Sequence, residues 1–270
     1  MWRAVYAAGW AMLCVDARSR PLTVTVITVC FNSASTLSRA LQSVADQDWP
    51  HVEHIVIDGG SSDETVEILQ KFESLLTCVV REPDRGIYDA MNKGLDRASG
   101  DIICFLNADD QYASSTVLSH VVEQMREYRL DALLGDVGFF HENNPAHMVR
   151  RYRSDRFSPE RLAWGWMPAH PALFLRKEVV QRVGRFKTDY RIAGDFEFIV
   201  RAFLGHSLRY RHFPEVLVRM QTGGASTGGL RAKIRLNQEV LRACRENGLR
   251  TNILKILSKY PAKLMELLSP

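Results

Sequence analysis

Apolar runs rich in β-branched residues alternate with helix-like segments through the first half of this 270-residue chain. The runs cover residues 24–29, 54–58, 76–80, 101–106 and 132–134, and apolar residues at helical spacing lie between them. A run that is apolar throughout is typical of a strand buried on both faces, as in a parallel sheet. The alternation therefore predicts an α/β fold in which a mostly parallel central sheet is flanked by helices.

Composition and charge exclude several other classes of protein. The net charge of +4 is too small to indicate nucleic-acid binding, and no apolar run reaches the roughly 18 residues that span a bilayer. The five cysteines include no C-x-x-C pair, so neither a zinc site nor a disulfide framework is predicted, and a reducing cytoplasm fits best. The charge is concentrated near the end of the chain, where residues 231–263 carry nine basic residues and two acids.

Acidic side chains follow two of the predicted strands. Asp58 ends the second strand, and the sequence Asn107-Ala108-Asp109-Asp110 follows the run at 101–106. Ligands of open α/β sheets gather beyond the carboxyl ends of the strands, and Mg²⁺ and Mn²⁺ prefer oxygen ligands. The acidic pair therefore suits a metal that holds a diphosphate, or else a simple turn; Asp58 suits a base or ribose contact, or else an Asx turn.

Two further positions allow both a chemical and a structural interpretation. Asp195 begins a predicted helix, where it is either a cap or a general base that removes a proton from a hydroxyl group. His170 is either a packed side chain or part of a site, and the aromatic residues before it, Trp166 among them, either stack on a sugar or belong to the core.

The motifs together resemble the family 2 glycosyltransferases of the GT-A fold, and in particular bacterial enzymes of colanic acid, exopolysaccharide and O-antigen assembly. The matching stretches are TVITVCFNSASTL, HIVIDGGSSDET, REPDRGIYDAMNKGLDRASGDIICFLNADD, HPALF, AGDFEFIVR and TGGAST. The resemblance implies a Rossmann-like GT-A domain over residues 21–229, with a donor half at about 21–136 and an acceptor half at about 137–229. Residues 1–20 form a leader outside it, and residues 230–270 form a basic, amphipathic helical tail.

The resemblance also implies roles for individual residues. Thr28 and Asn32 lie where relatives form the floor of the nucleotide pocket, and Asp58 lies where they contact the base. The remaining donor-side and catalytic positions are Asp84 and Arg85 beside the nucleotide and sugar, Asp109 at the ribose or phosphates, Asp110 as ligand of Mg²⁺ or Mn²⁺, and Asp195 as the base of an inverting reaction. His170, Trp166 and Glu197 are candidate sugar or acceptor contacts.

The chain departs from the family pattern at two places. Asn107 stands where many relatives have Asp, so the metal role rests on Asp110. Gly194 stands where many relatives carry Glu before the base, and Glu197 is too far along the chain to replace it.

The implied activity is metal-dependent transfer of a sugar from a nucleotide-sugar donor to a glycan or polyprenyl-diphosphate-linked acceptor in surface polysaccharide assembly. The alternatives are a nucleotidyltransferase, which would need a Gly-rich loop after the first strand, and a nucleotide-sugar binding protein without catalysis. Residues 250–270 are basic and amphipathic, so we expect either contact with a membrane surface or packing on the domain. We expect a cytoplasmic protein, peripheral at the inner face of the plasma membrane.

Overall fold

A computed structural model describes residues 20–141, 144–205, 207–221 and 229–260. In this part of the chain a single sheet has the strand order β3-β2-β1-β4-β8-β6-β9-β5. The ninth strand, β7, pairs with the later part of β6. The strands are β1 (Val24–Cys30), β2 (Val52–Asp58), β3 (Cys78–Arg81), β4 (Ile102–Phe105), β5 (Asp110–Tyr112), β6 (Ala132–His141), β7 (Asn144–Tyr152), β8 (Leu173–Arg176) and β9 (Tyr210–Gln221). The leader at 1–19, the TGGAST stretch at 222–227 and residues 261–270 lie outside the described residues.

The first four strands form a parallel sheet, with β1 between β2 and β4 and with β3 outside β2. Every residue of β1 is buried, as the continuous apolar run predicts. Successive side chains of a strand point to opposite faces, so Val26 packs into the core on one side of the sheet and Ile27 into the core on the other. The α/β prediction is confirmed, and the carboxyl ends of β1, β2 and β4 share one edge.

Helices cover both faces of the sheet. They are α1 (Leu37–Ala45), α2 (Thr65–Phe72), α3 (Ile87–Leu95), α4 (Val117–Glu127), α5 (Lys177–Val183), α6 (Gly194–Phe203), α7 (Gly229–Glu246) and α8 (Ile253–Leu257). Helix α3 lies close to β1 because Gly94 has no side chain; a Cβ there would be 2.4 Å from Ile27 Cγ2. The last turn of α3 therefore packs directly on the middle of β1.

The second half of the sheet is mixed. Strand β8 runs antiparallel to both β4 and β6, while β6 and β9 are parallel. Residues 137–166 contain the extended end of β6 and the edge strand β7. Strand β9 also pairs antiparallel with β5, which brings Met220 beside Asp110.

The basic C-terminal segment begins with a helix that packs on the domain. Helix α7 contacts α6, and its residues Val240, Ala243 and Cys244 are buried in the core. No helix among the described residues is both long enough and apolar enough to cross a membrane.

Candidate active site

A cleft of about 580 Å³ opens at the carboxyl ends of β1 and β4. One wall comes from residues after β1, from the segment around the beginning of α3 and from the segment after β4. The rest of the lining comes from residues 170–171, from the beginning of α6 and from β9. Of the predicted site residues, the cleft is lined by Asn32, Asp84, Asp109, His170 and Asp195.

The turn after β1 presents an aromatic ring to the cleft. Asn32 has a left-handed backbone (φ 48°), which Asn tolerates better than most residues. The amide of Asn32 donates to Ser61 Oγ (2.8 Å), and its side-chain oxygen accepts from the amide of Ser62 (2.9 Å). This fixed turn leaves Phe31 61% exposed on the cleft wall.

Asp58 and Thr28 are buried beneath this wall and do not line the cleft. The Asp58 carboxylate accepts hydrogen bonds from the amide and hydroxyl of Ser61 and from Arg81 Nε (3.1 Å). The Thr28 hydroxyl is hydrogen-bonded to His54 Nε2 (3.0 Å). In this structure Asp58 therefore organises the loop that supports Asn32, and its contact with a base stays a prediction.

Asp84 and Arg85 point to different cavities. Asp84 lines the main cleft, where its Oδ1 accepts from the amide of Gly86 (2.9 Å). Gly59 makes room for this carboxylate, since a Cβ at Gly59 would lie 2.3 Å from Asp84 Oδ2. Arg85 pairs with Asp89 (3.4 Å) and lines a second, adjoining cavity of about 500 Å³.

The segment after β4 divides its polar side chains between the cleft and the interior. Asn107 and Asp109 line the cleft, whereas Asp110 begins β5 and is fully buried. Asn107 Nδ2 donates to Asp110 Oδ2 (3.2 Å). Burial, and then the charge of Asp109, hold the pKa of Asp110 well above its usual range.

The oxygen atoms near Asp110 provide some, but not all, of the ligands that a divalent cation needs. Within the described part of the chain, the buried oxygens Asn107 Oδ1 and Asp110 Oδ1 have no hydrogen-bond partner. Oxygen atoms of this kind are the ligands that Mg²⁺ and Mn²⁺ prefer. The same residues contain no group of three or more His, Cys, Asp or Glu side chains that could hold a metal without further ligands.

Asp195 lies in the first turn of α6 and lines the cleft. Burial raises the pKa of its carboxyl to about 6, although the amide of Phe196, which donates to Oδ1 (2.7 Å), and the Tyr88 hydroxyl oppose the shift. A carboxylate with this pKa is ionised at pH 7 and is a stronger base than an exposed Asp. The arrangement can remove a proton from a hydroxyl group bound in the cleft.

The ring of Tyr88 explains why the residue before Asp195 is glycine. A Cβ at Gly194 would lie 2.6–2.8 Å from three atoms of that ring. The Tyr88 hydroxyl donates to the carbonyl oxygen of Ile192 (2.7 Å), and the ring stacks on Phe186 (centroids 5.8 Å apart). A Glu at position 194, as in many relatives, would require this ring to move.

The three candidate acceptor contacts lie in different environments. His170 lines the cleft but stacks on Phe105 (5.3 Å), and burial lowers its pKa to about 4, so its ring is neutral at pH 7. Trp166 is half-buried and lines neither cavity. Glu197 is fully buried and pairs with Arg201 (2.8 Å) and Lys187 (2.9 Å), so in this structure it is engaged in a structural ion pair.

The structure adds residues to the site that sequence reasoning missed. Phe31 directly follows β1 and lies within the segment from Thr28 to Asn32 that the resemblance places at the floor of the nucleotide pocket, but the motif alone does not single it out. Tyr88 and Arg191 line both cavities, and Ile192 lines the main one. Arg191 and Ile192 belong to no sequence motif, because their place at the cleft depends on how the segment before α6 folds back.

Comparisons with known proteins agree with this architecture. Residues 25–184 match the family model described as Glycosyl transferase family 2. An uncharacterized glycosyltransferase of Mycobacterium tuberculosis is 36% identical over 192 residues, which cover 67% of this chain and 69% of that protein. A PGL/p-HBAD biosynthesis glycosyltransferase of Mycobacterium bovis is 32% identical over 194 residues, covering 69% of this chain and 73% of that protein.

Two solved structures share the fold. S. aureus TarS 1–349 in complex with UDP-GlcNAc superposes with a TM-score of 0.66 at 19% identity, over 82% of this chain and 66% of that chain. The mannosyltransferase PcManGT from Pyrobaculum calidifontis, in complex with GDP-Man and Mn²⁺, gives a TM-score of 0.62 at 21% identity, over 85% of this chain and 65% of that chain.

Proposed function

This chain belongs to glycosyltransferase family 2, and we propose that it is an inverting enzyme that moves a sugar from a nucleotide-sugar donor to a hydroxyl group of a glycan or lipid-linked glycan. The observation that carries the proposal is one cleft that is lined both by Asp109 and by Asp195, whose carboxyl has a raised pKa. A donor held beside Asp109 would expose its anomeric carbon to a hydroxyl group activated by Asp195.

The donor-side wall offers a place for a nucleoside diphosphate. An exposed aromatic ring beside a polar turn can stack on a base, and Phe31 provides one. Asp84 and Asp109 provide carboxylates that can accept hydrogen bonds from ribose or sugar hydroxyl groups. The two solved structures that share the fold contain UDP-GlcNAc and GDP-Man, so donors of this chemical class are the first to test.

Asp110 and Asn107 would hold a divalent cation through the two oxygens that have no partner in the described structure. Such a cation would neutralise charge on the departing diphosphate. We expect Mn²⁺ to tighten UDP or GDP binding in calorimetry, and Asp110→Ala to abolish this tightening. Asp46→Ala, which removes an exposed carboxylate at the end of α1, is the control. Equal affinity of the wild type with and without Mn²⁺ would contradict the metal role.

In the transfer step, Asp195 takes the proton of the acceptor hydroxyl as its oxygen attacks the anomeric carbon. The bond from that carbon to the diphosphate breaks at the same time, and the diphosphate leaves with the electron pair. Attack from the face opposite the leaving group inverts the anomeric configuration. The side-chain carboxylate is already ionised near pH 7, so it can act without prior loss of a proton.

We infer that the acceptor enters through the second cavity, which shares Gly86, Ile87, Tyr88 and Arg191 with the main cleft. The exposed guanidinium of Arg191 suits an anionic group such as a lipid-linked diphosphate. The PGL/p-HBAD biosynthesis relative supports a cell-surface glycan or glycolipid as product. Arg191→Gln is expected to raise the KM for such an acceptor more than the KM for the donor.

The end of the chain is proposed to contact the membrane that carries this acceptor, at the inner face of the plasma membrane. Leu254 is 75% exposed, and Ile253 and Leu257 are also exposed beside Lys255. Flotation with vesicles containing anionic lipid tests this contact. Equal flotation of the full chain and of a chain ending at residue 249 would contradict it.

The activity itself is tested by incubating the protein with UDP-, GDP- and dTDP-sugars, a lipid-linked acceptor and Mn²⁺. We expect nucleoside diphosphate release that depends on the acceptor, and a product whose anomeric configuration, measured by NMR, is opposite to that of the donor. Retention of configuration would exclude the inverting mechanism, and binding without release would favour a nucleotide-sugar binding protein.

A further inference from the structure

Helix α7 holds the backbone that leads into the first turn of α6. The carboxylate of Glu239 accepts hydrogen bonds from three successive amides, those of Arg191 (3.1 and 3.2 Å), Ile192 (2.8 Å) and Ala193 (2.8 Å). These amides lie immediately before α6, whose first turn contains Asp195. A negative charge at this place is favoured by the amino-terminal end of α6 and satisfies amides that the helix leaves unpaired.

The same short segment is also held by Tyr88 of α3. The carbonyl oxygen of Ile192 accepts from the Tyr88 hydroxyl (2.7 Å), and the Tyr88 ring packs against Gly194. Residues 191–193 are thus fixed between a carboxylate of α7 and a phenol of α3. Movement of this segment would displace both Asp195 and the cleft-lining side chain of Arg191.

We propose that Glu239 is a positioning residue of the transfer reaction, which holds residues 191–193 so that Asp195 faces the acceptor hydroxyl. The inference rests on the proposed role of Asp195 as the base. It assigns a function in catalysis to α7, which follows the motif-bearing part of the chain and which the sequence indicated only as a basic tail.

Glu239 also acts on Asp195 through its charge. Two titratable side chains from neighbouring elements affect the pKa of Asp195: the Tyr88 hydroxyl on α3 lowers it, and the Glu239 carboxylate on α7 raises it. Removal of the charge at position 239 should therefore make Asp195 more acidic. A contact that served folding alone would not produce this change in the pH dependence of catalysis.

Glu246 offers a matched control. It lies two turns further along α7 and contacts the side chains of Lys187 (2.9 Å), Tyr190 (3.0 Å) and Arg242 (2.6 Å), but no contact joins it to the amides of residues 191–193. Glu246→Gln therefore weakens the attachment of α7 to the preceding loop and leaves the Glu239 contacts intact.

The experiment measures kcat, the donor KM and the pH profile of Glu239→Ala, Glu239→Gln and Glu246→Gln in the full chain. Glu239→Ala leaves three amides without their acceptor, and a displacement of the base on the order of 1 Å can cost about 100-fold in rate. We expect a loss of that size in kcat with the donor KM within about twofold of wild type. Glu239→Gln keeps an acceptor oxygen, so its loss in kcat is smaller, but the acidic limb of its profile moves to lower pH. Glu246→Gln keeps the wild-type kcat and profile and lowers the thermal midpoint.

Several outcomes would overturn the positioning role: a kcat for Glu239→Ala within about threefold of wild type, a loss in kcat matched by a loss of donor affinity, or an acidic limb of Glu239→Gln at the wild-type pH. If Glu239→Ala does not fold, the pH profile of Glu239→Gln tests the role of Glu239 instead. The variant Asp195→Asn distinguishes the proposal for Glu239 from the proposal that Asp195 is the base. If Asp195→Asn is active, the role of Asp195 as the base is refuted. If Asp195→Asn is inactive but the Glu239 variants have wild-type kinetics, only the role of Glu239 is refuted.

Discussion

Protonation of Asp195 should control the rate of transfer at mildly acidic pH. With a pKa of about 6, the carboxyl is about 90% ionised at pH 7 and only about 10% ionised at pH 5. Because the base works in its ionised form, kcat/KM is expected to fall as pH decreases through 6. A tenfold decrease in rate per pH unit should follow below pH 5. An exposed Asp would place this limb about two pH units lower.

The perturbation that tests this reasoning is Asp195→Asn, which keeps the shape of the side chain and removes its ability to accept a proton. General-base catalysis contributes typically 10²–10⁴-fold, so we expect a loss of about that size in kcat. Burial disfavours the charge of Asp195, so the neutral variant should be at least as stable as the wild type at pH 7. Loss of activity together with an unchanged or raised thermal midpoint distinguishes a catalytic role from a folding defect.

The assay is release of nucleoside diphosphate with saturating acceptor at pH 4.5–8.5, with Asp96→Asn as control. Asp96 is an exposed carboxylate that pairs with Arg185 (2.7 Å) and lines neither cavity. Its variant should reproduce the wild-type profile. A wild-type rate that stays constant down to pH 4.5, or an Asp195→Asn variant with more than about a tenth of wild-type activity, would refute the role of Asp195 as base.

Three further substitutions test the donor wall and the fold. Phe31→Ala should weaken nucleoside diphosphate binding about 5- to 150-fold in calorimetry, since base–aromatic stacking contributes about 1–3 kcal/mol; an unchanged Kd would contradict stacking. Gly59→Ala should displace the Asp84 carboxylate, which lies 2.3 Å from the added Cβ, and raise the donor KM without a large shift in thermal midpoint; an unchanged KM would show that Asp84 does not contact the donor. Asp136→Ala removes a buried acceptor of Arg151 Nε (2.8 Å) and of the Ser154 amide (2.8 Å), so urea denaturation should show a decrease of about 3 kcal/mol in the free energy of unfolding. A change below about 0.5 kcal/mol would mean that water replaces these contacts.

Much of the cleft could be predicted because parallel strands bring their carboxyl ends to one edge. The positions after β1 and β4 are set by local apolar runs, and Asn32 and Asp109 therefore lie on the cleft as the motifs predict. The side chains at Asp58 and Asp110 show the limit of this reasoning. Both residues lie at or just beyond the carboxyl end of a parallel strand, yet both are buried. Asp58 is buried beside Ser61 and Arg81, and Asp110 is buried where β5 pairs with β9.

The sequence by itself determined the α/β class, the mostly parallel sheet and the family, because these depend on short-range periodicity and on contiguous motifs. Only the tertiary structure decided how the second half closes the cleft. The antiparallel pairing of β8 with β4 and the contacts of Glu239 with residues 191–193 join segments that no local pattern relates. Such contacts depend on the packing of whole helices and strands, and this packing brings a helix beyond the recognisable motifs against the segment that leads into α6.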